Sequence, residues 1–358
     1  MRGMRFAEAE AFLSIDALPA DTVRLFETAD SFFATSEWWR AVLSHARPAD
    51  AEPIFVVCRV HGVAAGLFPM LRTPNGRWFG FDTPYTCLYT PLIAAGADAS
   101  RLCEAFVRFC RVGGVVRLDA LPTDWPHWDA LVAGTRAAGL QMRRFDHFGN
   151  WYEDVAGLDW AGYLARRPGA LRETIRRRLR RAERLPNAAF TLTTGPDGLE
   201  NAIAAYESVY ARSWKEPEPF PAFNAAQIRA AAALGIGRLG LWSVDGEPVA
   251  VQFWIQERGR ATVLKLAHDE AFKVHSPGTV LTAFILRHLL DRERVTSVDF
   301  GRGDDPYKQD WAVQRRQRVG VLLLAPWRLG GLLALARHDL GRLRRFWAAK
   351  GRSSLETA

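Results

Sequence analysis

The sequence predicts a mixed α/β protein built from two related domains, and three observations carry that prediction. A chain of 358 residues exceeds what one small core requires, and the usual span of roughly 100–200 residues per domain gives two. Apolar, β-rich runs alternate with amphipathic helical stretches, the pattern of sheets covered by helices. The order of elements also repeats, with hairpin, strand, helix and strand appearing once in each half. "VHGVAAGLF" and "VRLDA" in the first half match "VDGEPVAVQF" and "TSVDFG" in the second. The spacing from Gly62 to Asp119 resembles that from Gly246 to Asp299. The implied division is 1–157, 158–326, and a C-terminal helix with its tail at 327–358.

Taken in order, "SEWWRAVLSHA" (Ser36 to Ala46) reads as a helix with Ser36 at its start and Glu37 in its first turn. "PIFVVCRVHGVAAGLFPMLR" holds two apolar runs broken at His61-Gly62, a hairpin signal. "ASRLCEAFVRFCRVGG" is a helix closed by glycines, and the strand Val115 to Leu121 follows. A helix near "WPHWDALVAGTRAAG" and a strand near "LQMRRFD" complete the half. After Pro168-Gly169 comes a helix whose Leu171, Ile175, Leu179 and Ala182 form an apolar stripe. Arginines crowd its other faces, either as a solvated surface or as a clamp for phosphates, which the planar guanidinium suits. The second half opens on a hairpin turning at Asp245-Gly246. It continues through the strand "RATVLKLAHD", the helix "SPGTVLTAFILRHLLDRE" and the strand "VTSVDFG". The tail "APWRLGGLLALARHDLGRLRRFWAAKGR" is a basic amphipathic helix, expected to pack on the second domain, with peripheral membrane contact as the other option. The closing "SSLETA" is expected to fray.

Composition narrows the function classes. Hydrophobic residues at 49% and charged residues at 24% are ordinary for a globular chain and exclude bulk disorder. No run reaches ~18 uninterrupted apolar residues, so no transmembrane span is expected. "MRGMRFAEAEAFLSI" carries glutamates and lacks an apolar run ending in a cleavage site, so it does not read as a signal peptide. A cytoplasmic location is the expectation. Cys58, Cys87, Cys103 and Cys110 form no CxxC or Cys/His cluster and read as neutral thiols. The net charge of +8 rests almost wholly on arginine, since the lysines are only Lys215, Lys265, Lys273, Lys308 and Lys350. That excess favours an anionic partner, whether phosphate, nucleic acid or membrane surface.

Chemistry concentrates in the second half. The helix after "HDEAFKVH" starts with Ser276 as N-cap and Pro277 at its first position. Gly278 admits a ligand close to the backbone, and free N–H groups at the positive end of the helix dipole make a seat for pyrophosphate. The same Ser-Pro-Gly is a sound helix start without any ligand. Lys265 interrupts an apolar strand and faces either solvent or a cleft. Asp299 closes its strand at the C-terminal end, where open α/β sheets place their ligand crevices. Gly301 and Gly303 permit a sharp exit toward Asp304, Tyr307 and Lys308, while Asp305 and Asp310 read as caps of the next helix. A carboxylate-capped turn without chemistry is the competing reading. The aspartates lack calcium-loop spacing, and no HExxH or GxSxG occurs, so no metal site and no serine nucleophile are expected.

"KLAHDEAFKVHSPGTVLTAFILRHL" followed by "VDFGRGDDPYKQDW", together with the Arg-rich helix and "YARSWKEP", resembles the CelD/BcsL-type acetyltransferases. These have the GNAT fold of acyl-CoA N-acyltransferases and are related to the FemAB-like proteins, which carry two tandem GNAT folds. The resemblance covers roughly residues 171–324, and the first half shares only its layout. It implies two tandem GNAT-like domains, the first degenerate. It also implies acyl-CoA (acetyl-CoA) as co-substrate, the acyl group passing directly to an amine on an amino sugar, polysaccharide or cell-envelope precursor. The residues so implied for the donor are Lys265, Lys273, Ser276, Gly278 and Thr279. Asp299 would be the base or orienting group, Tyr307 the acid and Lys308 a charge stabiliser. Trp214, Lys215, Asp304, Arg177 and Arg181 would meet the substrate. Of the family's Q/R-x-x-G-x-G/A phosphate loop only Gly278 is kept. That departure and the Arg-rich helix favour, as an alternative, FemAB-like transfer from aminoacyl-tRNA. A third option is a non-catalytic GNAT-like module that binds an anionic ligand.

Overall fold

The computed structural model describes residues 7–353, with side chains through residue 341. Its strands are β1 (Glu8–Phe12), β2 (Glu52–Val60), β3 (Val63–Arg72), β4 (Trp78–Gly80), β5 (Leu92–Ile93), β6 (Val115–Pro122) and β7 (Gln141–Asp154). They continue with β8 (Ala189–Thr193), β9 (Gly237–Val244), β10 (Glu247–Glu257), β11 (Arg260–His268), β12 (Ser297–Asp299) and β13 (Gln314–Leu324). Two compact units result. Among the described residues, one contains 7–36, 47–147 and 318–353, the other Glu37–Ala46 and Phe148–Gln317. The expectation for the final residues, 354–358, lies outside the described part of the chain.

In the first unit the strands run β1-β2-β3-β4-β6-β13, with β5 on β3. The β2/β3 hairpin turns through His61 at φ +54° and Gly62 at φ +80°, two successive left-handed residues as a type I′ turn demands. The helix Ala99–Cys110 is capped by Asp98, whose carboxylate accepts the Arg101 N–H at 3.2 Å. It buries Leu102, Cys103, Phe106, Val107 and Cys110, and Phe106 stacks on Phe68 with centroids 4.2 Å apart. Burial raises the thiol of Cys103 to about 12 and pushes Cys58 and Cys110 up as well, which keeps all three neutral.

The C-terminal helix, Leu329–Ser353, belongs to this first unit and not to the second domain as its sequence suggested. The physical reason is β13, which from Arg318 to Leu324 pairs antiparallel with β6 and so delivers the following chain there. Leu335 of the helix then packs on Val115 and Leu324. A Cβ at Gly331 would come within 2.2 Å of the Ala325 carbonyl oxygen, so only glycine allows that approach.

In the second unit the order is β7-β12-β11-β10-β9-β8. The β9/β10 hairpin repeats the type I′ turn at Asp245 (φ +52°) and Gly246 (φ +84°). The helix Pro277–Asp291 covers this sheet with Val280, Leu281, Ile285, Leu286 and Leu289. It lies so near β9 that a Cβ on Gly240 would sit 2.5 Å from Ile285 Cδ1. The Arg-rich helix, Gly169–Glu183, turns Ile175 and Ala182 inward, as its stripe predicted. Arg176, Arg177, Arg180 and Arg181 are exposed on its other faces, and none is ion-paired among the described residues. The chain entering this helix is anchored by Arg167, which donates to both carboxylate oxygens of Glu153 at 2.5 and 2.6 Å. Both side chains are almost fully buried, and the Arg167 guanidinium lies 4.4 Å over the Tyr163 ring. No helix among the described residues is long and apolar enough to cross a membrane.

Candidate functional site

The site begins where two parallel strands stop pairing. β11 and β12 are joined at Arg260–Ser297, Ala261–Val298 and Thr262–Asp299, after which β12 ends and β11 continues to His268. Strand ends of this kind are where α/β sheets leave room for a ligand. The β10 register slips beside it. Val263 faces Trp254 and Lys265 faces Phe253, so Leu264 is the extra, bulged residue. A bulge re-aims the side chains that follow and recurs next to active sites.

The helix Pro277–Asp291 starts beside the free end of β11. Here Ser276 departs from its expected role. Its backbone is left-handed (φ +54°, ψ +53°), and its side chain makes no capping hydrogen bond. A capping serine needs an extended backbone, so this serine cannot reach back to the first-turn amides. Those amides are therefore unclaimed by a side chain, and a left-handed non-glycine is the kind of strain found at functional sites. Gly278 is open: a Cβ there would meet only His268 Nδ1, at 3.9 Å. From beneath, buried Gln252 donates to the Gly278 carbonyl at 3.0 Å and to Thr282 Oγ1 at 2.7 Å, fixing this turn. Thr279 is half-buried beside it. Arg178 donates to the Val274 carbonyl at 2.7 Å, and Arg178 and Arg181 both depress the His275 pKa, after its burial. Lys273 is largely exposed, 3.4 Å from Glu270. Arg177 is exposed and joins none of these contacts.

His268 is the residue the sequence reasoning missed. Its ring lies 4.3 Å from that of Trp214, and among the described residues neither ring nitrogen has a hydrogen-bond partner. Glu270 Oε1 approaches Nε2 only to 3.7 Å. Burial lowers its pKa first; Glu270 and Asp269 oppose the shift while Lys273 and Lys215 reinforce it. The outcome is a neutral imidazole near neutral pH.

Three of the five lysines meet nearby. Lys215 stands 5.5 Å over the Trp214 ring, its pKa lowered by burial and then by Lys265, with Glu218 and Asp305 opposing and Lys308 adding to the effect. The Lys265 ammonium is engaged by Glu218, which also accepts from the Tyr210 hydroxyl at 2.6 Å. Lys308 is buried. Its Nζ donates to the carbonyls of Arg302 (2.7 Å) and Gly303 (3.2 Å) and pairs with Asp305 at 2.9 Å. All three of its donors are thus used in knitting the loop.

Asp299 is 4% exposed and sits in a closed network. One oxygen accepts from Asn150 Nδ2 (2.7 Å) and the Gly301 N–H (2.8 Å), and the other pairs with Arg316. Arg316 Nε also donates to Asn150 Oδ1 at 2.6 Å, and its guanidinium stacks 4.3 Å over Tyr152. Asp304 is held by Arg315 through two bonds of 2.8 and 2.5 Å, which depresses its pKa. Tyr307 is 41% exposed, and its phenol is pushed up by the surrounding protein and then by Asp305. Asp305 and Asp310 do not cap the helix Lys308–Trp311; Tyr307 is its N-cap, with no side-chain bond. Asp305 instead neutralises Lys308.

In the first unit, ligand atoms of Asp82, Asp119 and His147 lie within 4.8 Å of one another. His147 Nδ1 already accepts the Ala120 N–H at 2.9 Å, so the neutral ring carries its proton on Nε2 and has no lone pair left for a metal.

Residues 169–309 match the family described as acetyltransferase (GNAT) domain. The strand end, the bulge, the uncapped helix and the loop after Asp299 all lie within that span. No curated protein matches the chain. Among solved structures, the C-terminal domain of a protein assigned as lysylphosphatidylglycerol synthetase from Agrobacterium fabrum is similar at 15% identity. It covers 89% of this chain and 95% of its own, with a TM-score of 0.57. FemX is similar at 10% identity, covering 88% of this chain and 97% of its own, TM-score 0.56. L-PGS from Bacillus licheniformis shares 12% identity over 86% of this chain and 96% of its own, TM-score 0.53. At these identities the likeness is one of fold. The mixed α/β, GNAT-like architecture expected from the sequence therefore holds.

Proposed function

We propose that the GNAT domain is an N-acyltransferase of the CelD/BcsL type, passing an acyl group from acyl-CoA directly to an amine. The observation that carries this is His268, a neutral imidazole whose two buried nitrogens have no hydrogen-bond partner among the described residues, beside the uncapped helix start at Gly278. The donor pyrophosphate seats on the amides of Gly278 and Thr279, with Lys273, Arg178 and Arg181 adding positive charge. The acceptor amine loses a proton to His268 as its nitrogen attacks the thioester carbonyl. Collapse of the tetrahedral intermediate breaks the carbon–sulfur bond. The Tyr307 phenol, protonated near neutral pH as tyrosine's ordinary pKa of about 10 dictates, donates a hydrogen bond to the departing thiolate. The proton held by His268 then returns to sulfur through solvent. Asp299 serves as the orienting group, since both its oxygens are committed, and Lys308 holds the loop that presents Tyr307. Trp214 and Lys215 form the acceptor wall, and Asp304 shapes the loop through Arg315.

His268→Gln tests this directly. Its kcat/KM should fall by about 10²–10⁴-fold, the usual worth of a general base, with acyl-CoA binding retained. In the native protein kcat/KM should decline as pH falls through a pKa below imidazole's usual ~6.5, because only the neutral ring accepts a proton. Unchanged turnover in the variant overturns the assignment.

The exposed arginines of the helix Gly169–Glu183, without ion-pair partners among the described residues, favour one second reading, in which the donor is an aminoacyl-tRNA. RNA that stays bound at moderate salt and is released as salt rises distinguishes it from acyl-CoA.

A further inference from the structure

We propose that the groove between the C-terminal helix Leu329–Ser353 and the first unit's sheet takes the acyl chain and anionic headgroup of a membrane phospholipid. The groove has a volume of about 610 Å³. Phe79, Val115 and Leu322 form its sheet wall, and Leu333 and Leu340 its helix wall. The last two are seven residues apart, hence on one helix face, yet they remain 57% and 59% exposed. Trp327, Leu329 and Leu332 extend the exposed apolar strip at the helix start. A contiguous strip of this kind marks a binding surface more than a solvated one.

The charges around it choose the occupant. Arg77 and Arg337 line the same groove, both exposed and, among the described residues, neither paired with a carboxylate. Arg117 is present too, but it is committed to Asp119 at 2.6 Å. A second hollow of about 800 Å³ shares Arg117 and Arg337 and adds Arg144; Asp146 is the one carboxylate in its lining. Apolar walls edged by free guanidiniums complement a molecule that is greasy along its length and negative at its head. A helix with leucines on one face and arginines beside them lies flat in a lipid interface, and an anionic surface strengthens the attraction for each arginine. This assignment is independent of the acyl transfer proposed above.

Co-sedimentation of the full chain with lipid vesicles tests it. The chain should pellet with vesicles of phosphatidylcholine mixed with phosphatidylserine and stay in solution with phosphatidylcholine alone. Arg77→Glu combined with Arg337→Glu should weaken binding about tenfold or more. Leu333→Ser combined with Leu340→Ser should weaken it comparably, and because all four side chains are exposed the variants keep the native circular dichroism. Equal pelleting with neutral vesicles overturns the proposal, as does undiminished binding by either variant. A protein partner in place of lipid leaves the chain in the supernatant with every vesicle, which overturns it as well.

Discussion

Asp299 and His268 show what a residue's own neighbourhood in sequence does and does not reveal. Asp299 was legible as a strand-end carboxylate, but its partners are Asn150, 149 residues before it, and Arg316, 17 residues after it on another strand, so its commitment to them was not. His268 was hidden for a different reason: it gains meaning only because β12 stops short and leaves the end of β11 unpaired on that side. The two residues separate experimentally. Asp299→Asn should destabilise the protein by about 1–3 kcal/mol, the cost of disturbing a buried hydrogen-bonded charge, measured by urea unfolding. It should leave the acidic limb of the pH–rate profile in place, since the proposed base is His268. Disappearance of the limb in Asp299→Asn would return the role of base to the aspartate.

Among the elements, those encoded by local backbone chemistry were read with little error. Both hairpins turn where His61-Gly62 and Asp245-Gly246 supply successive left-handed residues, and the Arg-rich helix buries the stripe its spacing predicts. Ser276 failed as a cap because a Ser-Pro pair specifies where a helix starts and not the dihedral with which the chain arrives. Caps at Asp305 and Asp310 failed because a buried lysine, invisible to local rules, claimed Asp305. The entry to the Arg-rich helix is anchored by a buried ion pair. Arg167→Met leaves the buried Glu153 carboxylate only the contact with Arg166 at 3.8 Å and should cost about 3–5 kcal/mol in urea unfolding. A loss below about 1 kcal/mol, the worth of an exposed pair, would show that this anchor does not hold the segment.

Over the whole molecule, charge was legible while its placement was not. Five lysines among 47 basic residues make lysine the exception in this chain, and Lys265 and Lys308 both act electrostatically on Lys215. That grouping was not visible in a sequence that spreads them over ninety-odd positions. It places compact ammonium groups together in a chain where arginine is the default. The tail was misplaced for a related reason. An amphipathic helix announces that it will pack, but only the pairing of β13 with β6 determines on what. The proposed acyl transfer requires the start of the helix Pro277–Asp291 to grip the pyrophosphate of acyl-CoA. Calorimetric titration of acetyl-CoA into the full chain and into Gly278→Asp tests it most directly. A Cβ there meets only His268 Nδ1, at 3.9 Å, and the substitution sets a carboxylate against the seat. One equivalent should bind to the native chain, and the variant should bind about tenfold or more weakly, as expected when a negative charge fills an anion site. Absence of binding to the native chain, or equal affinity in Gly278→Asp, would rule out a donor seat at this helix start.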